Sequence, residues 1–364
     1  MKIRNFFMMA AVGLMAVISL SSCEDILGHW EKPTPAVAPE EFVYAFSLRN
    51  LADDADVVAT ALKVTDQTGR EIATGTRDGK YTIKVDDLDS ATELWLEATA
   101  EDGKKYIQKA KVEELSAIAE AGKLTMATLG NIIGVDGKFY ANKASVDAAT
   151  TTGAAMIVYL GNEGETNTTY NHGLAIALGD AADGNARWGV PNTTVLGKHY
   201  NTWSSATPAA ASDANTDMAG IANTETLVTK AAEDASNYQA GKAASDYTVA
   251  GFTPATYGFS GWFLPSAGQW YIFLNGMCGL TWTGGWDYST QGGADFTAVN
   301  NVFTVAGYGT APNDAKIIES KYYWSSTQYD DGFAVYFEFE SLSGVNAGQA
   351  TMEYYLSVRP FLAF

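Results

Sequence analysis

Short runs of alternating hydrophobic and polar residues fill positions 41–125 and are separated by turn sequences. Lys80–Val85 and Glu93–Ala98 alternate with a period of two, and Asp78-Gly79 and Asp102-Gly103 are typical hairpin turns. Turn signals recur at intervals of about ten residues, which favours six or seven short strands. We therefore expect residues 41–125 to form one antiparallel β-sandwich domain.

The pattern changes in residues 126–364. The apolar runs 154–160 and 173–178 predict buried strands, whereas the small and polar residues of 179–222 predict long surface loops that carry aromatic residues (Trp188, Tyr200 and Trp203). Helical spacing predicts a helix over 223–238 with Asn223 as its N-cap, and Ser266 with Gln269 forms a capping box that opens a second helix. From Tyr322 onward the chain alternates again.

An apolar run from Phe6 to Leu20 follows a basic start and ends in Leu20-Ser21-Ser22-Cys23. This layout is typical of a lipoprotein signal peptide, so we expect residues 1–22 to be removed and Cys23 to carry the acyl chains. Residues 23–40, rich in proline, are expected to be an extended lipidated tether. The acidic pair Glu24-Asp25 resembles the surface-export signal of Bacteroidota lipoproteins, which implies an outer-membrane, cell-surface location.

Removal of residues 1–22 leaves 21 basic against 42 acidic side chains. Such a chain is repelled by nucleic acids and anionic lipid headgroups, so the acyl chains are the expected membrane contact. Once Cys23 is acylated only Cys278 remains, in an apolar setting that favours a buried, inert thiol. The three histidines are scattered along the sequence. We therefore expect no disulfide, no metal site and no cofactor.

Three ordered segments stand out in the C-terminal half: GWFLPSAGQW (261–270), YWSST (323–327) and SVRPFLAF (357–364). Together they resemble the Fibrobacter-type major paralogous domain, a bacterial relative of the C-type-lectin fold. The resemblance implies an α+β chain in which an immunoglobulin-like or fimbrillin-like sandwich precedes a lectin-like domain over 126–364. The large or charged motif residues are expected to act as scaffold rather than as a reactive site. They are Trp262, Trp270, Trp324 and Arg359.

In lectin-like domains the last strands and their connecting loop form the binding face. Alternation places Val335, Phe337 and Phe339 inward and the intervening residues outward, with a loop over 341–355. The expected ligand-binding residues are tyrosines and short polar groups, a composition suited to recognition. They are Tyr329, Asp330, Asp331, Tyr336, Glu338, Glu340, Asn346, Gln349, Glu353, Tyr354 and Tyr355. A solvated sheet edge without a ligand is the alternative.

The calcium-chelating triplets of sugar-binding lectins are absent; Val190-Pro191-Asn192 lacks the carboxylate. The predicted function is therefore a non-catalytic, surface-anchored receptor or adhesin for an extracellular protein or glycan. A pilus-associated structural subunit is one alternative. An enzyme related to the formylglycine-generating oxidases is another, but that chemistry needs a pair of cysteines and residues 24–364 offer only Cys278. The fixed motifs around 322–360 also resemble target proteins of diversity-generating retroelements, which would make the binding face hypervariable.

Overall fold

The computed structural model describes residues 43–85, 88–200, 213–281, 293–309 and 320–364. It is a mixed α/β structure with mostly antiparallel sheets and few helices. The predicted signal peptide, the lipidation site Cys23, the tether and Trp203 lie outside the described residues.

The N-terminal unit, residues 43–126, contains two four-stranded sheets and a short helix. Its elements are β1 (Val43–Asn50), β2 (Ala59–Asp66), β3 (Glu71–Ile72), β4 (Thr74–Arg77), β5 (Lys80–Lys84), β6 (Glu93–Ala100), β7 (Lys105–Lys111), α1 (Leu115–Ala121) and β8 (Lys123–Met126). The strand orders are β4-β5-β1-β8 and β3-β2-β6-β7. Both sheets contribute side chains to one hydrophobic cluster.

One strand pair departs from the predicted antiparallel arrangement. Strands β1 and β8 are parallel, with Leu48 opposite Leu124. The chain reaches β8 through α1, which is capped at its C-terminus by Gly122 in the left-handed conformation (φ 71°) that favours glycine. A crossover of this kind lets two strands run in the same direction.

Strand β6 has hydrophobic residues on both faces. Leu94 and Leu96 belong to the core of the N-terminal unit. Trp95, between them, points the other way and packs in a second cluster with residues of the C-terminal unit, including Ile133 and Phe364. Successive side chains of β6 therefore pack into different clusters, and this packing holds the two units together.

The C-terminal unit, the described residues from 127 onward, contains two five-stranded sheets and several helices. Its strands are β9 (Ile132–Gly134), β10 (Phe139–Tyr140), β11 (Gly153–Leu160), β12 (Gly173–Ala177), β13 (Ala182–Ala186), β14 (Lys321–Gln328), β15 (Phe333–Glu340), β16 (Gly344–Thr351), β17 (Leu356–Val358) and β18 (Phe361–Ala363). Its helices are α2 (Lys143–Ala148), α3 (Gly220–Glu233), α4 (Gln239–Ser245), α5 (Ala267–Ile272) and α6 (Gly293–Val305). The strand orders are β10-β9-β11-β12-β18 and β13-β17-β14-β15-β16.

Helix α5 carries the aromatic centre of this unit. The predicted capping box is present: the Ser266 backbone N–H donates to Gln269 Oε1 at 2.9 Å. One turn later, the fully buried Trp270 ring lies with its centroid 5.5 Å from that of Phe337 and 5.4 Å from that of Phe361. Because Phe337 and Phe361 belong to different sheets, Trp270 joins the two sheets through one hydrophobic cluster.

The structure corrects the prediction that 179–222 is surface loop. Trp188 is fully buried, and its Nε1 donates to the Ser325 carbonyl at 2.8 Å; Tyr200 is buried as well. Trp188 packs with Leu227 of α3 and Trp324 of β14 in a separate hydrophobic cluster. The small and polar composition of the segment concealed this long-range packing.

The predicted helix over 223–238 is also different from the observed one. The chain forms two helices, α3 and α4, and Asn223 lies inside α3 rather than at its N-cap. Helix α3 begins at Gly220, where a Cβ would lie 2.1 Å from the side-chain oxygen of Gln269. Only glycine permits this close packing of α3 against α5.

Candidate binding face on the C-terminal sheet

The register of β14, β15 and β16 assembles the predicted outward positions into rows. Tyr322, Glu338 and Asn346 lie side by side on the three strands. In the next row Tyr336 lies between Trp324 and Gly348. We call Tyr322, Tyr336, Glu338, Glu340 and Asn346 the outer face; all five are half-buried.

The opposite side of β15 is the core side, as the alternation predicts. Val335, Phe337 and Phe339 are fully buried in the cluster around Trp270. The segment 341–355, predicted as a loop, contains the eight-residue strand β16. Strand β16 pairs with β15 along its whole length, so most of the segment 341–355 is sheet. The glycine and alanine content of β16 did not indicate a strand.

Tyrosines and carboxylates contact one another on the outer face. The rings of Tyr322 and Tyr336 are 5.7 Å apart, and the Tyr322 hydroxyl donates to Glu340 Oε1 at 3.3 Å. A hydrogen bond to Glu338, burial and the nearby carboxylates raise the pKa of Tyr322. Burial and the charge of Glu338 also raise the pKa of Tyr336. Both phenols therefore stay protonated, so the face presents hydroxyl donors beside acidic acceptors.

The two aspartates of the turn between β14 and β15 contact other groups of the protein. Asp330 Oδ1 accepts hydrogen bonds from the backbone N–H groups of Gly332 and Phe333 at 2.7 and 2.9 Å. Asp331 Oδ1 accepts from Thr194 Oγ1 and lies 3.0 Å from His199 Nε2. These two predicted ligand residues thus shape the turn and fasten it to the segment before residue 200.

A second cluster of predicted residues lies where the chain leaves β16. Tyr354 and Tyr355 are 57% and 52% exposed, which is unusual for large side chains. The Arg187 guanidinium lies 4.7 Å above the Tyr355 ring and donates to Asn237 Oδ1 at 2.8 Å. We call Arg187, Glu353, Tyr354 and Tyr355 the exit corner.

The predicted ligand residues are therefore spread over the whole sheet. The exit corner adjoins the β14–β15 turn, because the Met352 N–H donates to the Gly332 carbonyl, whereas Glu340 lies at the other end of β15. An eight-residue strand spans roughly 25 Å. Gln349 pairs with Val335, which places it on the opposite side of the sheet from Tyr336, and Tyr329 packs against the main core.

Two residues of this region were not predicted from the sequence. Tyr322 could have been found, because it precedes Trp324 by two positions in a strand and so shares its face. Arg187 could not, since no local pattern connects it with Tyr355 across the fold.

The motif residues are buried, and Trp324 is the direct neighbour of Tyr336 across β14 and β15, on the same side of the sheet. Trp262, Trp270 and Trp324 are buried in three different hydrophobic clusters. Arg359 is 2% exposed; its Nε lies 2.7 Å from Asp180 Oδ1, and its Nη1 donates to the Ala177 carbonyl at 3.0 Å. Arg359 therefore contacts a carboxylate and the last carbonyl of β12 in the interior of the fold.

Two buried carboxylates organise the motif segments. Asp217 Oδ2 accepts hydrogen bonds from Thr327 Oγ1 at 2.7 Å and from Asn223 Nδ2 at 2.9 Å, and its Oδ1 accepts from the Ala219 N–H at 3.1 Å. Glu165 Oε2 accepts from Gln269 Nε2 at 2.9 Å. Burial raises the pKa of both carboxyls.

Thr327 and Gln269 therefore act as donors to buried acids. In this geometry the hydroxyl and amide groups of the two motifs satisfy the interior of the fold. They do not point to a reactive centre.

Metal and thiol chemistry have little support in the described ranges. No three His, Cys, Asp or Glu side chains there lie close enough to hold a metal ion. Cys278 is half-buried against the main core, and desolvation raises its pKa, which disfavours the nucleophilic thiolate. None of the helices that can be described is long and apolar enough to cross a membrane.

Comparison with known proteins gives little further information. No family model and no curated protein matches the chain. Among solved structures it is similar to a fimbrial protein from Bacteroides ovatus ATCC 8483, with a TM-score of 0.41 and 12% identity over 88% of this chain and 70% of that one. This similarity is too low to carry an argument about function. The lectin-like domain expected from the motifs stays a prediction.

Proposed function

We propose that this chain is a lipid-anchored protein of the outer membrane, exposed at the cell surface, that binds an extracellular protein or glycan and catalyses no reaction. The signal sequence with Cys23 supports the anchoring. The surface of the β14–β16 sheet supports binding: two tyrosines and two glutamates contact one another on the outer face, and exposed tyrosines lie at the exit corner.

The chemistry of this surface fits recognition. Tyrosine offers a large contact area at low entropic cost, and carboxylates accept hydrogen bonds from sugar hydroxyls or from basic protein side chains. The hydrophobic cluster around Trp270, on the opposite side of β15, gives the surface a rigid support, which limits the entropy lost on binding.

A binding experiment with matched variants tests this function. The protein is screened against arrays of glycans and extracellular-matrix proteins, and any binder is then titrated against the triple variant Tyr336→Ala/Tyr354→Ala/Tyr355→Ala. We expect a loss of at least about tenfold in affinity, because buried aromatic contacts dominate such interfaces. The control Val58→Ala/Val305→Ala removes exposed apolar side chains elsewhere and should bind normally. Equal binding by both variants would refute the assignment of this surface.

The alternative function, a fimbria-associated structural subunit, is favoured by one observation. Strand β4 is an edge strand, and all four of its residues are exposed. An open strand edge can pair with a strand of another molecule. A ladder of multimers in cell-envelope extracts, or filaments of the purified protein, would favour this function over the receptor.

A further inference from the structure

A cavity of about 170 Å³ lies where the N-terminal unit meets the C-terminal unit. Strands β6 and β7 form one wall, and the end of β11 with His172 forms the other. We call this cavity the β6–β11 cleft. It is separate from the outer face and the exit corner.

The two walls of the cleft are held together by aromatic stacking and a hydrogen bond. The His172 ring stacks on Trp95 with a centroid distance of 4.8 Å, and Phe364 stacks on Trp95 at 5.7 Å. His172 Nδ1 lies 2.9 Å from Glu97 Oε1. These contacts join the units beside the cavity, so the cleft is preformed.

The cleft contains more basic than acidic side chains, in contrast to the acidic chain as a whole. Lys63 Nζ lies 3.5 Å from Glu97 Oε2. Burial acts to raise the pKa of Glu97, but His172 and Lys63 outweigh burial and lower it, so this carboxylate stays ionised. The lining thus has two lysines and one carboxylate, and because Lys63 pairs with that carboxylate, the charge of the other lysine is not neutralised.

Lys105 supplies that charge. Its ammonium lies 5.8 Å from the centre of the Tyr159 ring, and within the described ranges it has no carboxylate at ion-pair distance. The ammonium also lies close to the backbone of Gly161, where a Cβ would be 2.6 Å from Lys105 Nζ. An unneutralised ammonium in a concave site is a natural partner for an anion.

The rest of the lining limits what the anion can be. Thr99 and Asn162 contribute hydroxyl and amide groups, whereas Leu160 contributes an apolar surface. The volume corresponds to roughly five or six water molecules at about 30 Å³ each. We propose that the β6–β11 cleft binds a small hydroxylated carboxylate of monosaccharide size, such as a hexuronate, with its carboxylate on Lys105 and Lys63 and its hydroxyls on Thr99 and Asn162.

Titration calorimetry on the full chain in detergent tests this site with glucuronate, galacturonate, glucose, acetate and inorganic phosphate. We expect saturable binding of at least one uronate, with glucose, acetate and phosphate weaker by about tenfold or more, since each lacks either the charge or the hydroxyls. Lys105→Gln should weaken uronate binding by about tenfold. The control Lys138→Gln removes an exposed lysine that does not line the cleft and should bind normally.

A second variant guards against misfolding of Lys105→Gln. Asn162 is an exposed residue of the cleft lining, so Asn162→Trp should fold and fill part of the cleft. The proposal is overturned if neither uronate binds, if phosphate or acetate binds as tightly as the uronates, or if Asn162→Trp binds like the native protein. Binding of array ligands at the outer face is independent of these outcomes, so the two proposals can fail separately.

Discussion

Tyr336 lies across Gly348, its neighbour on β16, so closely that a Cβ on Gly348 would lie 2.7 Å from the tyrosine hydroxyl oxygen. Real Cβ atoms do not approach other atoms at this distance. The absence of a Cβ on Gly348 therefore leaves the space in which the Tyr336 ring lies on the outer face.

Gly348→Ala is expected to displace the Tyr336 ring and to lower the free energy of unfolding by about 1 kcal/mol, because overpacking strains neighbouring side chains. Binding at the outer face should weaken while the fold persists. Urea denaturation and ligand titration measure the two effects. Gly261→Ala is the matched control, since nothing lies within 4 Å of its Cβ position; equal behaviour of the two variants would contradict the prediction.

The buried Asp217 should make stability depend on pH. Burial raises its pKa above the ordinary 3.8, so the folded protein holds a proton that the unfolded chain loses first. The contribution of this group to stability is thus largest below pH 3.8 and falls as pH rises through the raised pKa. Other carboxyls titrate in the same range, so the effect is measured against a variant.

Asp217→Asn is expected to cost about 1–3 kcal/mol, because the new amide N–H₂ faces donors such as Thr327 and Asn223. The variant has no ionisable group at this position. The difference between its free energy of unfolding and that of the native protein should therefore shrink as pH rises from 4 to 7. Urea denaturation at several pH values measures this gap. Asp102→Asn, in an exposed turn, serves as the control. A deficit that grows with pH would disprove the assignment.

Local patterns predicted the local parts of this structure. The alternation of β6, the capping box before α5 and the inward residues of β15 follow from side-chain periodicity and helix-end chemistry, which act over a few residues.

Contacts between distant segments could not be predicted in this way. The partner of Arg359 is Asp180, and Trp188 packs against Trp324 although more than a hundred residues separate each pair. For the binding face, alternation predicted the side of the sheet for Tyr336 and Glu338. The internal use of Asp330 depends on turn geometry, and the contribution of Arg187 depends on tertiary packing.

Lipid anchoring at Cys23 is tested by Cys23→Ala, which removes the thiol that would receive the diacylglycerol. The variant should leave the membrane fraction and lose fatty-acid labelling, since only acyl chains are expected to hold the protein there. Ultracentrifugation and labelling of whole cells give the result. Cys278→Ala is the matched control and should label normally. Labelling of the Cys23 variant would contradict the prediction.

Calcium is expected to have no effect on the protein. The lectin-type chelating triplets are absent from the sequence, and the described ranges contain no cluster of three metal-ligating side chains. A chelator should therefore leave the melting temperature and ligand binding unchanged in calorimetry. Stabilisation of more than about 1 kcal/mol by millimolar calcium would show a site, because selective binding to the native state must raise stability.

Hypervariability of the binding face can be tested in genomes and in the sequences of close relatives. If a retroelement diversifies this protein, a near-copy of the codons for residues 322–360 should lie beside a reverse-transcriptase gene and differ mainly where the template has adenine. The structure narrows where substitutions should concentrate: the exposed Glu353, Tyr354 and Tyr355 can change at little cost, whereas Val335 and Phe337 are fully buried and must be kept. Alignment of close relatives from one population measures this distribution. The prediction is contradicted if substitutions are spread evenly over inward and outward positions, or if the genome contains no near-copy. The binding face would then be a fixed one.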